Sequence, residues 1–167
     1  MAPRHSLVEN ERATQERVGR LRIDYPAAHA VSSLYRAGNA VRRHLTNTVL
    51  RDHDLTWTGF LVLWLLWIWG AMETRLVAEE VGISKGSLTG VMNTLTARGL
   101  VERVPSELDR RRVELTLTPA GEELMDELYP QFNEAESALV QGLSGRDLRR
   151  LTESLRRITT TAEADDE

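Results

Sequence analysis

The sequence predicts a mainly α-helical protein carrying one small β-hairpin. Three observations predict it. Long stretches at both ends of the chain repeat apolar residues at helical spacing. Between them, Thr74 to Arg98 reads as two short helices broken at Gly82. Two short strands then follow, Leu100 to Val104 and Val113 to Leu117. In the second, Val113, Leu115 and Leu117 alternate with Glu114 and Thr116, so one face is buried.

Taken in order, residues 1–24 are polar with scattered apolar side chains, an arm that is either helical or partly disordered. Residues 25–54 form a first long helix that opens at Pro26. Its apolar residues are Val31, Leu34, Tyr35, Val41, Leu45 and Val49. Thr56 is placed to cap the next helix, Trp57 to about Trp69. Its apolar run is too short for a membrane span, which needs roughly 18 or more residues. A helix buried on nearly all sides is expected instead, ended by Gly70. Ser84 caps a helix reaching Arg98, with Gly99 beyond its end. Thr118-Pro119 opens a helix with Leu124, Leu128, Phe132, Ala135 and Leu139 on one stripe, which Pro130 should kink or divide. Ser144 to Asp147 resembles a capping box, and the last helix presents Leu148, Leu151, Leu155 and Ile158. The expected organisation is an arm (1–24), a first helix (25–54), a central lobe (55–118), closing helices (119–160) and an acidic tail (161–167).

Composition bounds the function. At 167 residues the chain can bury one good core. It contains no cysteine, which excludes disulfides and thiolate metal sites and fits a reducing compartment. Met1 to Glu11 has no apolar h-region, so a cytoplasmic protein with no membrane partner is expected. His29, His44 and His53 are too scattered for a metal site, and no cofactor is expected. No nucleophile–base pair, phosphate loop or paired-carboxylate motif stands at a telling spacing, so an enzyme is not expected. The net charge of −4 is uneven. Lys85, Arg98, Arg103 and Arg110 to Arg112 gather in the central lobe, whereas Glu122, Glu123, Asp126, Glu127, Glu134 and Glu136 lie on the helix after it. An acidic body behind a basic edge orients a protein on a polyanion.

On a helical wheel the Ser84–Arg98 segment divides cleanly. Leu88, Val91, Met92 and Leu95 form the apolar face. Gly86, Gly90, Asn93 and Ala97 lie opposite, flanked by Ser87, Thr89, Thr94 and Thr96. That surface is small, polar and uncharged. It suits the major groove of double-stranded DNA, where Ser and Asn can bond base edges and Thr or Ala methyls can meet thymine methyls. Lys85 and the free first-turn N–H groups suit phosphates. Taken alone, the same face could equally pack another helix. Ala78, Gly82 and Ile83 favour the first reading, because they supply the crossing and tight turn of a helix-turn-helix. The loop from Pro105 to Arg112 adds three consecutive arginines, Arg110, Arg111 and Arg112. Asp109 can pair with one and leave another to enter a minor groove.

Several segments together resemble the MarR family of regulators. They are Leu55-Thr56 through Leu66, Val77 through Ser84, Leu95 through Arg103 with its Gly-Leu-Val-Glu-Arg run, Asp109 to Arg112, and Leu115 through Gly121. The resemblance covers about residues 27 to 160. It implies a winged helix-turn-helix lobe joined to a helical dimerisation region. In such proteins the terminal helices intertwine in a homodimer. Two recognition helices enter successive major grooves of a pseudo-palindrome, and the wings reach flanking minor grooves. By this resemblance Asp109 braces the wing, Arg111 enters the minor groove, Ser84 opens the recognition helix, and Ser87 is its next polar contact. The chain departs from many members at Gly90, where they carry a large basic residue.

The resemblance also implies a place for a small aromatic, phenolic or anionic ligand near the tryptophan-rich helix. Trp57 and Trp64 would form its walls, and Tyr35, Asn39, Arg43 and His44 its polar ends. Core packing is the competing role for each tryptophan. The function expected is a homodimeric, ligand-released repressor. The alternative is a ligand-independent architectural or constitutive DNA-binding regulator.

Overall fold

Capping side chains set most of the helix boundaries. In the computed structural model, which describes residues 5–105 and 113–164, Ser6, Thr56, Ser84 and Thr118 each accept a backbone N–H from the first turn of the helix that follows. The chain divides into two units, Met1–Arg43 and His44–Glu167.

In the first unit the arm is helical as α1 (Leu7–Val18). Its capping box is reciprocal: Glu9 N donates to Ser6 Oγ at 3.2 Å, and Ser6 N donates to Glu9 Oε2 at 2.8 Å. These hydrogen bonds from Ser6, the backbone one foremost, hold the Glu9 carboxyl below its ordinary pKa. Helix α2 (Tyr25–Thr48) begins one residue before Pro26. His29 Nε2 lies 2.9 Å from Glu11 Oε1, and the Tyr25 hydroxyl donates to the Glu11 carbonyl at 3.4 Å, so α1 is fastened to the start of α2. The helix stops at Thr48 rather than filling the 25–54 stretch; a 3-10 turn, Leu50–His53, takes over.

The second unit is built around α3 (Trp57–Trp69), which touches α4 (Thr74–Val81), α5 (Lys85–Ala97), α6 (Pro119–Val140) and β3 (Val113–Leu117). Phe60, Val62, Leu63, Leu65 and Leu66 are buried with Leu45, Leu50, Val77, Leu88, Met92, Leu95, Leu115, Met125, Leu128 and Phe132 in one core. Burial is not complete around α3. Ile68 and Trp69 at its C-terminal end are exposed, Trp69 by 70%. No helix among the described residues is long and apolar enough to cross a membrane.

The sheet has three antiparallel strands in the order β1 (Met72–Glu73), β3, β2 (Val101–Pro105). Val101 faces Leu117, Arg103 faces Leu115 and Pro105 faces Val113. Strand β1 pairs Met72 with Leu115. Two residues are too few to show an alternation, which is why this strand is invisible in the sequence.

Pro130 does not divide α6, which runs unbroken from Pro119 to Val140. A proline inside a helix costs about 3 kcal/mol. Met125, Leu128 and Phe132 flank it and are buried, so the core holds the helix on both sides of the missing donor. Helix α7 (Gly145–Ala164) starts at Ser144, whose Oγ accepts from Asp147 N at 3.2 Å. Its stripe of Leu148, Leu151, Leu155 and Ile158 has no buried member.

Candidate nucleic-acid interface

The two-helix unit is held from both sides of its turn. Gly82 is left-handed at φ +71°, ψ 37°, a conformation that favours glycine. Its N–H donates to Glu79 O and that of Ile83 to Ala78 O, each at 3.0 Å, closing the end of α4. Val77 and Ala78 are buried beneath the turn. Ser84 Oγ then accepts from Ser87 N at 3.1 Å to start α5.

Helix α5 buries Leu88, Met92 and Leu95, with Val91 half-buried. Ser84, Lys85, Gly86, Ser87, Thr89, Gly90, Asn93, Thr94, Thr96 and Ala97 are all exposed, as the helical wheel requires. A Cβ added at Gly90 would meet nothing within 4 Å. The hydroxyls are less available than the sequence suggests. Ser84 Oγ and Ser87 Oγ lie 2.9 Å apart, Thr89 Oγ1 donates to Lys85 O at 2.9 Å, and Thr94 Oγ1 donates to Gly90 O at 3.3 Å.

Two features that position α5 depend on contacts distant in the sequence. By charge and position Arg98 groups with the basic residues of the lobe. Its guanidinium instead donates to the carbonyls of Asp54 and His53, tying the end of α5 to the turn before α3. Thr118 caps α6 and also donates from Oγ1 to Gly99 O at 2.5 Å, while Thr118 N donates to Leu100 O at 3.1 Å. Gly121 sits so close to Leu100 that a Cβ would overlap the Leu100 carbonyl oxygen. The Leu-Thr-x-x-Gly end of the hairpin is thus a clamp on the turn after α5. The left-handed Gly99, at φ +69°, marks that turn.

Asp109, Arg110, Arg111 and Arg112 lie outside the described residues. Tyr35, Asn39 and Arg43 belong to the first unit, and His44, Trp57 and Trp64 to the second. Asn39 is engaged within its own helix: Nδ2 donates to Tyr35 O at 3.0 Å, and Oδ1 accepts from Arg42 at 3.1 Å. Trp57 packs against Phe60 and Phe132, each at 6.2 Å between ring centroids, and Trp67 packs on Tyr129 at 5.3 Å. Trp64 is half-buried. No group of three or more metal-binding side chains stands together among the described residues.

A helix-turn-helix continued by a three-stranded hairpin unit defines a winged helix-turn-helix lobe. The MarR family model matches residues 55–113, which span that unit from the start of α3 to the start of β3. YwaE of Bacillus subtilis, described as an uncharacterized HTH-type transcriptional regulator, is 34% identical over 136 residues, covering 81% of this chain and 80% of that protein. Among solved structures, Bordetella bronchiseptica BpsR, described with regulation of its DNA binding by 6-hydroxynicotinic acid, is 29% identical at a TM-score of 0.68, over 77% of this chain and 91% of that one. NadR in complex with 4-hydroxyphenylacetate is 25% identical at a TM-score of 0.70, over 81% and 98%. This chain belongs to the MarR family and is a DNA-binding transcriptional regulator.

Proposed function

We propose that this chain is a homodimeric repressor that holds a pseudo-palindromic operator and leaves it when a small aromatic or phenolic acid binds. The observation that carries the DNA side is the exposed, uncharged, small-residue face of α5. Ser84, Ser87, Thr89, Gly90 and Asn93 would meet the major groove, and Lys85 a phosphate. Arg110, Arg111 and Arg112, steadied by Asp109, would reach the minor groove. The open stripe of Leu148, Leu151, Leu155 and Ile158 on α7 supports the dimer, since a second copy would cover it. In this organisation residues 25–54 and 119–160 flank the 55–118 lobe as dimerisation elements.

Ligand release is supported by BpsR and NadR, similar proteins described with 6-hydroxynicotinic acid and 4-hydroxyphenylacetate. A ligand shifts the dimer only by its differential affinity for the state whose helices no longer match the half-sites. A second reading, a ligand-independent regulator, is favoured by the packing of Trp57 against the core ring of Phe132 and of Trp67 against Tyr129. The test is to titrate aromatic acids, 4-hydroxyphenylacetate among them, into the preformed protein–DNA complex while following DNA anisotropy and tryptophan emission. Release with quenching supports the repressor; silence across the panel supports the second reading.

A further inference from the structure

Resting on the groove-reading role proposed for α5, we infer that Asn93 is its principal base-specifying side chain and that each half-site presents A·T pairs to this helix. At the centre of the exposed face stand Gly86, Gly90, Asn93 and Ala97. Of these only Asn93 can hydrogen-bond through its side chain. Most hydroxyls flanking it already make local bonds: Ser84 and Ser87 share one, Thr89 donates to Lys85 O and Thr94 to Gly90 O, while Thr96 makes none among the described residues. The Asn93 amide has no hydrogen-bond partner among the described residues, so its donor and acceptor are both free. An amide matches adenine, whose major-groove edge offers one acceptor and one donor, and mismatches guanine, which offers two acceptors.

The remainder of the face points the same way. Guanine is read chiefly by Arg or Lys. No arginine stands on α5, and Lys85 lies on its first turn, off the centre of the face, where it suits a phosphate. What surrounds Asn93 is Cα hydrogens of Gly86 and Gly90, the Ala97 methyl, and Thr89 and Thr94, whose hydroxyls are turned back on the helix. These are apolar contacts of the kind that thymine 5-methyl groups fill. Open space at Gly90 lets the helix lie close to the bases.

The test uses the full-length protein. Binding sites are selected from a randomised duplex library, and affinities for the selected duplex are measured by anisotropy at one fixed salt concentration. The half-sites are expected to be A·T-rich. Asn93→Ala should weaken the selected duplex by about tenfold or more and erase the preference for adenine at one position per half-site. Replacing the half-site thymines by deoxyuracil, which removes only the methyl, should weaken binding by about fourfold per buried methyl. Selected half-sites dominated by G·C, or an Asn93→Ala variant with unchanged preference, would overturn the assignment while leaving α5 as the reading helix. Failure to select any motif would overturn the reading role of α5 itself, and the assignment with it. Asn93 is exposed, so its substitution leaves the core intact, and a thermal melt checks this.

Discussion

Arg98 and Asp54, 44 residues apart in sequence, are joined by a hydrogen bond of 2.9 Å from Arg98 Nη1 to the Asp54 carbonyl. Nη2 reaches the neighbouring His53 carbonyl at the same distance. Asp54 is the only non-glycine residue with positive φ among those described, at 51°. The guanidinium thus satisfies the carbonyls at the end of a 3-10 turn and fixes where α5 stops relative to α3. Arg98→Ala should lower stability by about 1 kcal/mol, because both bonds are solvent-exposed. Lysine cannot make both bonds and should recover only part of that loss. Thermal unfolding of the three proteins checks it; an unchanged Tm in Arg98→Ala would remove the clamp from the account.

Gly121 and Gly90 should respond oppositely to the same change. Gly121→Ala drives a methyl into the Leu100 carbonyl, and neither backbone can easily yield. A loss of about 3 kcal/mol or more is expected. Gly90→Ala meets open space inside a helix and should gain about 0.5–1 kcal/mol. Denaturant melts of both variants test the packing of the α6 entrance and the openness of the α5 face together.

The capping box of α1 carries a pH dependence. The folded-state pKa of Glu9 is lowered, so its contribution is present above the ordinary carboxylate range and disappears as pH falls through the depressed value. Hydrogen exchange in the first turn of α1 should therefore accelerate relative to the core on acidification. Glu9→Gln keeps an acceptor but cannot titrate, and should flatten that dependence. A variant as pH-sensitive as the wild type would assign the effect elsewhere.

For the wing we predict that Arg111→Ala weakens DNA binding and lowers the slope of log affinity against log salt by about one, with oligomeric state and Tm unchanged. Affinity equal to wild type at matched salt would contradict the wing assignment.

Most of this architecture is legible because its signals are local. Thr56, Ser84 and Thr118 cap where a cap residue precedes an apolar run, and Gly82 and Gly99 stand where left-handed turns are needed. The face of α5 is legible for the same reason, since 3.6-residue periodicity alone separates Leu88, Met92 and Leu95 from Gly86, Gly90 and Asn93. What the sequence hides depends on tertiary contacts. Arg98 reads as one more surface charge until Asp54 is brought to it across α3. The commitment of Thr89 and Thr94 to helix carbonyls is a rotamer choice that composition cannot reveal. Pro130 reads as a breaker because its cost is local, whereas the burial of Leu128 and Phe132 that offsets it is not.

Whether α5 reads sequence in duplex DNA is decided by anisotropy of the purified protein on duplex from upstream of its own gene, against a scrambled duplex, over a salt series. Tight binding to the first is expected, with much weaker binding to the second and affinity that falls as salt rises. Equal, weak binding to both, unchanged by Asn93→Ala, would contradict sequence reading by α5.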